Sequence, residues 1–186
     1  MVLYSSPNVG PKAVPGTYGV RLTVNGESRS ASFKVLKDPR LPNSEADYQQ
    51  QFDFLMQVRD EVSRANEAIV KIRKLKKDLG YVREKYEAYP DLLNRLNAFE
   101  SRLSEIENNI HMTKNQSRQD PLNYGIRINN RLAFLMADTQ RGDYPPTDQS
   151  REFFREVRAE LQTELQALEN TVEAELGGIN SMIRDA

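Results

Sequence analysis

The sequence contains few side chains that could form a reaction centre. His111 is its only histidine and there is no cysteine, which removes thiol nucleophiles, thiolate metal sites and disulfides together. A histidine-based metal or proton-transfer site needs a second ligand or partner, and neither another histidine nor a cysteine supplies one. We therefore interpret His111 as a polar residue near the C-terminal end of a helix, where positive charge is mildly favoured. The sequence predicts no catalytic, metal-binding or cofactor-binding residue.

Carboxylates are plentiful on two predicted helices, but their spacing singles out no pair. They are Glu100, Glu105 and Glu107 on the second helix, and Glu152, Glu156, Glu160, Glu164, Glu169, Glu173 and Glu175 on the last. A di-metal bundle needs inward glutamates together with Glu-x-x-His pairs, which the sequence lacks. A glycosidase needs two carboxylates that face each other across a cleft. We expect these glutamates to form solvated helix faces.

The largest charge cluster is the basic run at residues 71–77, Lys-Ile-Arg-Lys-Leu-Lys-Lys. Such a run could contact phosphate. The chain as a whole carries 26 Lys and Arg against 27 Asp and Glu, a balance that does not favour a nucleic-acid binder. We interpret the run as the basic end of the first helix, which complements the helix dipole and nearby acids.

A polar, amide-rich stretch at residues 114–123 is the most specific candidate site. Its candidate residues, as a docking surface or a structural polar network, are Lys114, Asn115, Gln116, Arg118, Asp120 and Asn123. In the structural interpretation, which we prefer, these side chains hydrogen-bond free groups at neighbouring helix ends. In the functional interpretation they form a docking surface for a partner. The pair Asn129-Asn130 predicts that one amide makes a polar contact inside the bundle.

Four helices are predicted to position these residues. The first is an amphipathic helix that starts at a Ser44 cap and stops at Gly80. Its seam has apolar residues three or four positions apart, with a gap at Lys76: Leu55, Val58, Val62, Ala65, Ile69, Ile72 and Leu79. The second helix covers 91–113. The third covers 121–140 and is capped by Asp120. The last is capped by Thr147 or Asp148 and ends or is interrupted at residues 177–178, Gly-Gly.

A β-hairpin is predicted before the helices. Tyr18, Val20, Leu22 and Val24 alternate with smaller or polar residues, which is typical of a half-buried strand. Asn25-Gly26 predicts a two-residue turn, so that Val20 faces Ala31 and Tyr18 faces Phe33. Because a lone hairpin is marginal in water, it must pack on the helices, pair with another strand such as residues 2–4, or belong to a larger sheet.

These elements predict a mainly α fold. It is an antiparallel up-and-down helical bundle of three long helices plus one shorter, with an N-terminal β-hairpin. The expected domains are a hairpin element at 1–38 and a bundle at 39–186. The sequence has no apolar run long enough to span a membrane and no signal-peptide pattern, so the compartment stays open.

Three landmarks resemble one known family. They are Pro15-Gly16-Thr17-Tyr18 with the strands that follow it up to Asp38-Pro39-Arg40, the segment 113–124, and Pro146-Thr147-Asp148-Gln149. Together they resemble the C-terminal region of large bacterial BNR-repeat, sortilin-like β-propeller proteins called glycosyl hydrolases. The resemblance covers essentially the whole chain. It implies that the hairpin is the end of an Ig-like sheet whose other strands precede residue 1.

The resemblance implies a non-catalytic C-terminal structural or docking module of a larger secreted propeller protein. Its partner would be the upstream propeller and Ig-like part, or a second copy through the hairpin edge. Enzymatic activity would belong to the propeller, because this sequence has no tryptophan and so lacks the Ser-x-Asp-x-Gly-x-Thr-Trp box. The alternative is a free-standing helical adaptor or protein-binding module. A glycan-acting hydrolase is a third, less favoured hypothesis.

Overall fold

The computed structural model describes residues 10–117 and 119–185. Within these ranges an antiparallel two-stranded hairpin precedes five helices. The elements are β1 (Gly16–Val24), β2 (Glu27–Val35), α1 (Glu45–Lys85), α2 (Pro90–Ile110), α3 (Pro121–Tyr124), α4 (Ile128–Thr139) and α5 (Asp148–Arg184). The predicted mainly α fold with an N-terminal hairpin is confirmed. The proposed extra strand at residues 2–4 lies outside the described residues.

The bundle has three legs: α1, α5 and a middle leg in which α4 continues the direction of α2. Three carboxylates along α5 contact first α4 and then α2, in the pairs Glu160–Arg131, Glu164–Asn109 and Glu175–Arg95. The same order holds along α1, where Gln51 contacts Thr139 of α4 and Arg73 contacts Glu107 of α2. The short helix α4 therefore prolongs α2 in the same direction, antiparallel to both α1 and α5. The described residues between α2 and α4, 111–117 and 119–127, lie outside the two helices of this middle leg.

The core fills the space between the three legs. The 41 residues of α1 and the 37 of α5 correspond to roughly 60 and 55 Å of helix, long enough to flank both halves of the middle leg. The fully buried side chains come from α1, α2, α4 and α5 and include Leu55, Ile72, Phe99, Leu132 and Leu161. The apolar seam predicted for the first helix therefore forms one wall of this core.

Helix starts follow the predicted capping chemistry at two sites. Ser44 forms a reciprocal capping box with Asp47 at the start of α1. The Thr147 hydroxyl accepts the amide hydrogen of Ser150 at the start of α5. Both caps satisfy amides that have no partner inside the helix.

Glycines interrupt neither long helix, so the predicted ends at Gly80 and at residues 177–178 are wrong. The helix α1 runs through Gly80 because Val82 and Tyr86 continue to pack on the core beyond it. The helix α5 runs to Arg184. At Gly178 the guanidinium of Arg95 occupies the position that a Cβ would take. Tertiary packing outweighs the cost of about 1 kcal/mol for a glycine inside a helix.

The predicted third helix, 121–140, is broken instead of continuous. Gly125 has φ 73°, in the left-handed region, and it ends α3 after a single turn. The chain is extended at Arg127 and resumes as α4 at Ile128. The break lets α4 join the axis of α2, whereas α3 stays on the surface with the connector.

The hairpin has the predicted register. Val20 pairs with Ala31, and Tyr18 pairs with Phe33, with their ring centroids 6.0 Å apart. Both turn residues have positive φ, 51° at Asn25 and 86° at Gly26, as a type I′ turn requires. The hairpin lies before α1, so the expected boundary between 38 and 39 falls in the segment that joins β2 to α1.

Candidate functional site

The connector between α2 and α3 folds around one carboxylate. Asp120 accepts hydrogen bonds from the backbone amides of Gln116 and Ser117, at 2.5 and 2.7 Å, and from the Ser117 hydroxyl at 2.8 Å. These bonds, led by the Ser117 amide, hold the pKa of Asp120 below its ordinary value. The predicted cap of the third helix is wrong, because Asp120 has helical φ and ψ and its side chain does not cap α3. It points back and closes the preceding turn.

The other predicted connector residues lie around this turn. Lys114 places its Nζ 5.9 Å from the centroid of the Tyr124 ring. Asn123 is exposed, and its backbone amide donates to the Asp120 carbonyl. Asn115 is partly buried, and its Oδ1 has no hydrogen-bond partner in the described part of the chain. Arg118 lies outside the described residues.

A buried ion cluster lies where the middle leg breaks, and sequence reasoning missed it. Glu107 of α2 is 4% exposed and was expected on a solvated face. Its carboxylate accepts from Arg73 Nε at 2.7 Å and from Lys76 Nζ at 2.9 Å. Burial raises the pKa of Glu107, but the bonds to Lys76 and Arg73 outweigh this effect and the pKa is lowered overall. Arg73 and Lys76 of the basic run therefore pair with Glu107 inside the bundle.

His111 ends α2 beside this cluster and is buried. Its Nδ1 lies 3.3 Å from Nδ2 of Asn129, at the start of α4. The direction of this hydrogen bond depends on the tautomer of the ring. Burial lowers the pKa of His111, the charge of Arg73 lowers it further and that of Glu107 opposes this. The expected positive charge is therefore not favoured, whereas the expected polar contact of the asparagine pair is confirmed.

The hairpin carries a cluster of exposed apolar side chains. One face carries Thr and Ser together with Arg21 and Lys34, whereas the other carries the apolar residues and, near the turn, Glu27 and Arg29. Val20, Leu22, Val24 and Phe33 on that second face are between 51% and 66% exposed. The strands pair only with each other in the described structure, so both outer edges present free backbone groups.

Polar contacts hold the base of the hairpin to one end of the bundle. Lys12 Nζ lies 3.0 Å from the Asp143 carboxylate in the α4–α5 loop. Asn43 Nδ2 donates to the Asp143 carbonyl at 2.7 Å, and Lys37 Nζ donates to the Asn43 carbonyl at 2.9 Å. The segments before and after the hairpin therefore meet at the same loop.

A buried glutamine fixes that loop to the bundle. Gln51 of α1 is 4% exposed, and its Nε2 lies within 3.0 Å of three carbonyl oxygens, of Thr139, Gly142 and Tyr144. A buried amide donor that satisfies several loop carbonyls restrains the backbone between them. The orientation of the hairpin base is thus coupled to α1 through the α4–α5 loop.

The described residues contain no group of three or more His, Cys, Asp and Glu side chains placed to hold a metal ion. Across the same residues, none of the helices combines the length and apolar character needed to cross a membrane.

Comparison with protein families, curated proteins and solved structures found no match. The resemblance to BNR-repeat, sortilin-like proteins therefore rests on the sequence landmarks alone and stays a prediction.

Proposed function

We propose that this chain is a non-catalytic structural and docking module of a larger secreted β-propeller protein. The hairpin is the part that docks, and its partner is the upstream Ig-like and propeller part of the same protein. The uncovered apolar face of β1 and β2 carries this proposal. Secretion, and the identity of the parent protein, come from the sequence resemblance.

The face has the properties of a sheet surface that lacks its covering layer. Four large apolar side chains on one side of a nine-residue strand pair are more than half exposed, with Glu27 and Arg29 beside them near the turn, while the other side is polar throughout. Burying each of them would contribute about 1.5 kcal/mol or more. A two-stranded ribbon has little stability of its own, so a partner that covers this face would also stabilise the hairpin.

The polar contacts at the base of the hairpin fit a docking role. Lys12, Asn43 and Asp143 fix the two ends of the hairpin against the bundle. A partner bound to the strands would therefore be held at a defined position relative to the three legs. A hairpin tethered only by a flexible linker would not transmit its position in this way.

The test is association with the sheet-forming polypeptide encoded upstream of residue 1 in the same reading frame. Leu22→Lys places a charge on the apolar face and should weaken binding by at least about tenfold, because a buried apolar contact is replaced by a desolvated charge. Thr23→Lys is the matched control, one residue away on the polar face, and should change binding less than about twofold. Sedimentation or titration calorimetry measures both.

Equal effects of the two substitutions, or no association at all, would overturn the proposal. Leu22→Lys should leave the thermal unfolding of the bundle unchanged, since Leu22 is 66% exposed and lies outside the core. Self-association that Leu22→Lys abolishes would assign the face to a second copy and not to the upstream part.

A free-standing helical adaptor is the second candidate. The observation that favours it is the closed core, since the three legs bury one continuous apolar cluster without another chain. Exposed apolar residues on the connector side, Leu122, Tyr124 and Ile126, would then be its binding surface. A promoter and start site directly before residue 1 would favour the adaptor, whereas upstream propeller repeats in frame would favour the docking module.

A further inference from the structure

The outer face that α1 and α5 form together carries two stripes of polar side chains. Residues of the α5 stripe follow one another at three or four positions, so they share one side of the helix. The α5 stripe consists of Arg151, Arg155, Arg158, Gln162, Gln166, Glu169 and Glu173. Arg158 pairs with Glu61 of α1. Gln162 accepts a hydrogen bond from Arg64 of α1 at 2.9 Å, so the stripe runs along the border with α1.

The charges at the two ends of the α5 stripe are unpaired within the described residues. Arg151 and Arg155 lie four positions apart at one end, and Glu169 and Glu173 lie four positions apart at the other. None of the ion pairs that α5 makes in this part of the chain includes any of the four. Like charges at this spacing on a helix repel each other. Opposite charges supplied by another molecule would relieve the repulsion at both ends.

The α5 stripe is complementary to its own reverse. Arg155 and Glu169 lie seven positions either side of Gln162. Arg151 and Glu173 lie eleven positions either side of it. Two such stripes, placed antiparallel with the two Gln162 residues opposite each other, therefore bring both arginines against glutamates of the other copy. A two-fold axis relates two copies in this way, and it is the commonest symmetry of protein dimers.

The neighbouring stripe of α1 is self-complementary at the same level of the bundle. It consists of Asp60, Arg64, Glu67 and Lys71, whose charges alternate. Reversal about the point between residues 65 and 66 places Asp60 opposite Lys71. The same reversal places Arg64 opposite Glu67. Arg64 bonds Gln162, so both stripes reverse at nearly the same height. Asp60 and Arg64 already have partners on α1, so this stripe fixes the register more than it adds affinity.

The face is large enough for a weak dimer. From residue 151 to residue 173, α5 spans about 33 Å, and two helices side by side are about 20 Å wide, so each copy would bury about 650 Å². Stable interfaces bury about 800 Å² per partner. A cleft of about 480 Å³ between α1 and α5 gives side chains of a second copy room to enter at the arginine end. Asp148 and Glu152 line it beside the arginines, so its mixed charge suits a polar helix better than a free anion.

We propose that the face formed by the α1 and α5 stripes is the interface of an antiparallel homodimer. Arg155 of each copy pairs with Glu169 of the other, and the two α5 helices meet at Gln162. Arg151 pairs with Glu173 in the same way. Because these contacts are polar and exposed at their edges, the dimer is weak and sensitive to salt. It leaves the two hairpins at opposite ends and does not rest on the proposed docking function.

Sedimentation equilibrium of the full chain tests the dimer. At about 50 mM salt the wild type should pass from monomer to dimer below about 200 μM, and about 500 mM salt should weaken association at least fivefold. A chain that stays monomeric throughout this range, or a dimer that salt does not weaken, would overturn the proposal. A dimer that Leu22→Lys abolishes and Arg155→Glu leaves intact would place the contact on the hairpin and would also overturn it.

Charge reversal identifies the face. Arg155→Glu places like charges opposite each other at two symmetry-related contacts, so association should weaken by at least about tenfold, and Glu169→Arg should do the same. Both positions are exposed, so the melting temperature of the monomer should not change. Arg102→Glu makes the same change of net charge at an exposed position of α2, and this control should stay within about twofold of the wild type. Equal effects of Arg155→Glu and Arg102→Glu would contradict the assignment.

Mixing the two variants tests the register. In a heterodimer of Arg155→Glu with Glu169→Arg, each reversed charge again faces an opposite charge at both contacts. The mixture should therefore associate within about threefold of the wild-type affinity, although each variant alone does not. A mixture that associates no better than the separate variants would overturn the antiparallel pairing.

Discussion

Among stability measurements, removal of the Glu107 carboxylate tests most directly the buried ion cluster at the break in the middle leg. In Glu107→Ala, Lys76 and Arg73 lose their shared partner at the centre of the bundle. The Lys76 side chain is 24% exposed, so its ion pair with Glu107 is largely buried. Such a pair should contribute about 1.5–2 kcal/mol to stability. The Arg73 side chain is 55% exposed, so its bond is screened and contributes about 0.5 kcal/mol.

The lost methylene contacts of Glu107 add roughly 1 kcal/mol. We therefore expect Glu107→Ala to lower the free energy of unfolding by about 3 kcal/mol at pH 7, or the melting temperature by roughly 6–12 °C for a chain of this size. Glu105→Ala, an exposed carboxylate on the same helix, is the control and should stay within about 0.5 kcal/mol of the wild type.

The pH dependence supplies an independent check. The pKa of Glu107 is lowered in the folded state, so its stabilisation is present above the unfolded-state pKa and is lost as the pH falls through the folded-state pKa. The difference in unfolding free energy between the wild type and Glu107→Gln should be full at pH 7 and should shrink below about pH 4. Urea unfolding followed by circular dichroism measures it. A Glu107→Ala effect no larger than that of Glu105→Ala at pH 7 would refute the reasoning.

Three further predictions concern His111, the two glycines of α5 and Gln51. The pKa of His111 is lowered, so urea unfolding should show stability lost as the pH falls below about 6.5, and His111→Gln should flatten this slope. Gly177→Ala should stabilise the chain by about 0.5–1 kcal/mol in thermal unfolding, because nothing crowds its Cβ, whereas Gly178→Ala should gain nothing or lose stability because Arg95 must move. Gln51→Ala should cost about 2 kcal/mol and speed hydrogen exchange in the α4–α5 loop, because the three carbonyls that share its two N–H donors lose them. Equal effects of the two glycine variants, or an unchanged loop in Gln51→Ala, would contradict these contacts.

Local rules explain what the sequence predicted well. The hairpin register follows from the alternation around Asn25-Gly26, and the starts of α1 and α5 follow from Ser44 and Thr147, because each depends on neighbours within a few residues. The apolar seam of α1 is buried as predicted, since a periodic stripe indicates burial whichever helix covers it.

Tertiary contacts decided what the sequence did not predict. Gly80 and Gly178 stay helical because residues beyond them are packed, and that packing depends on other helices. The one positional signal for the buried ion cluster was the gap that Lys76 leaves in the apolar seam. Its partner Glu107 is separated by 31 positions and gave no comparable signal.

The connector shows the same limit. Its polar composition predicted side chains that hydrogen-bond neighbouring helix ends, whereas the turn that the structure shows is built from backbone amides bonded to Asp120. The residue that ends α3, Gly125, could only be recognised as a break from its positive φ. That break sends α4 along the axis of α2, a path that sequence spacing alone does not predict.

Hydrogen exchange of the hairpin amides tests the docking function most directly. In the chain alone, amides of β1 and β2 should exchange with opening free energies of roughly 0–2 kcal/mol, while the core amides of α1 and α2 approach the global value. With the upstream sheet-forming part present, the hairpin amides should become as protected as the bundle. Hairpin amides already as protected as the bundle in the isolated monomeric chain, or unchanged by the upstream part, would contradict a docking role for this face.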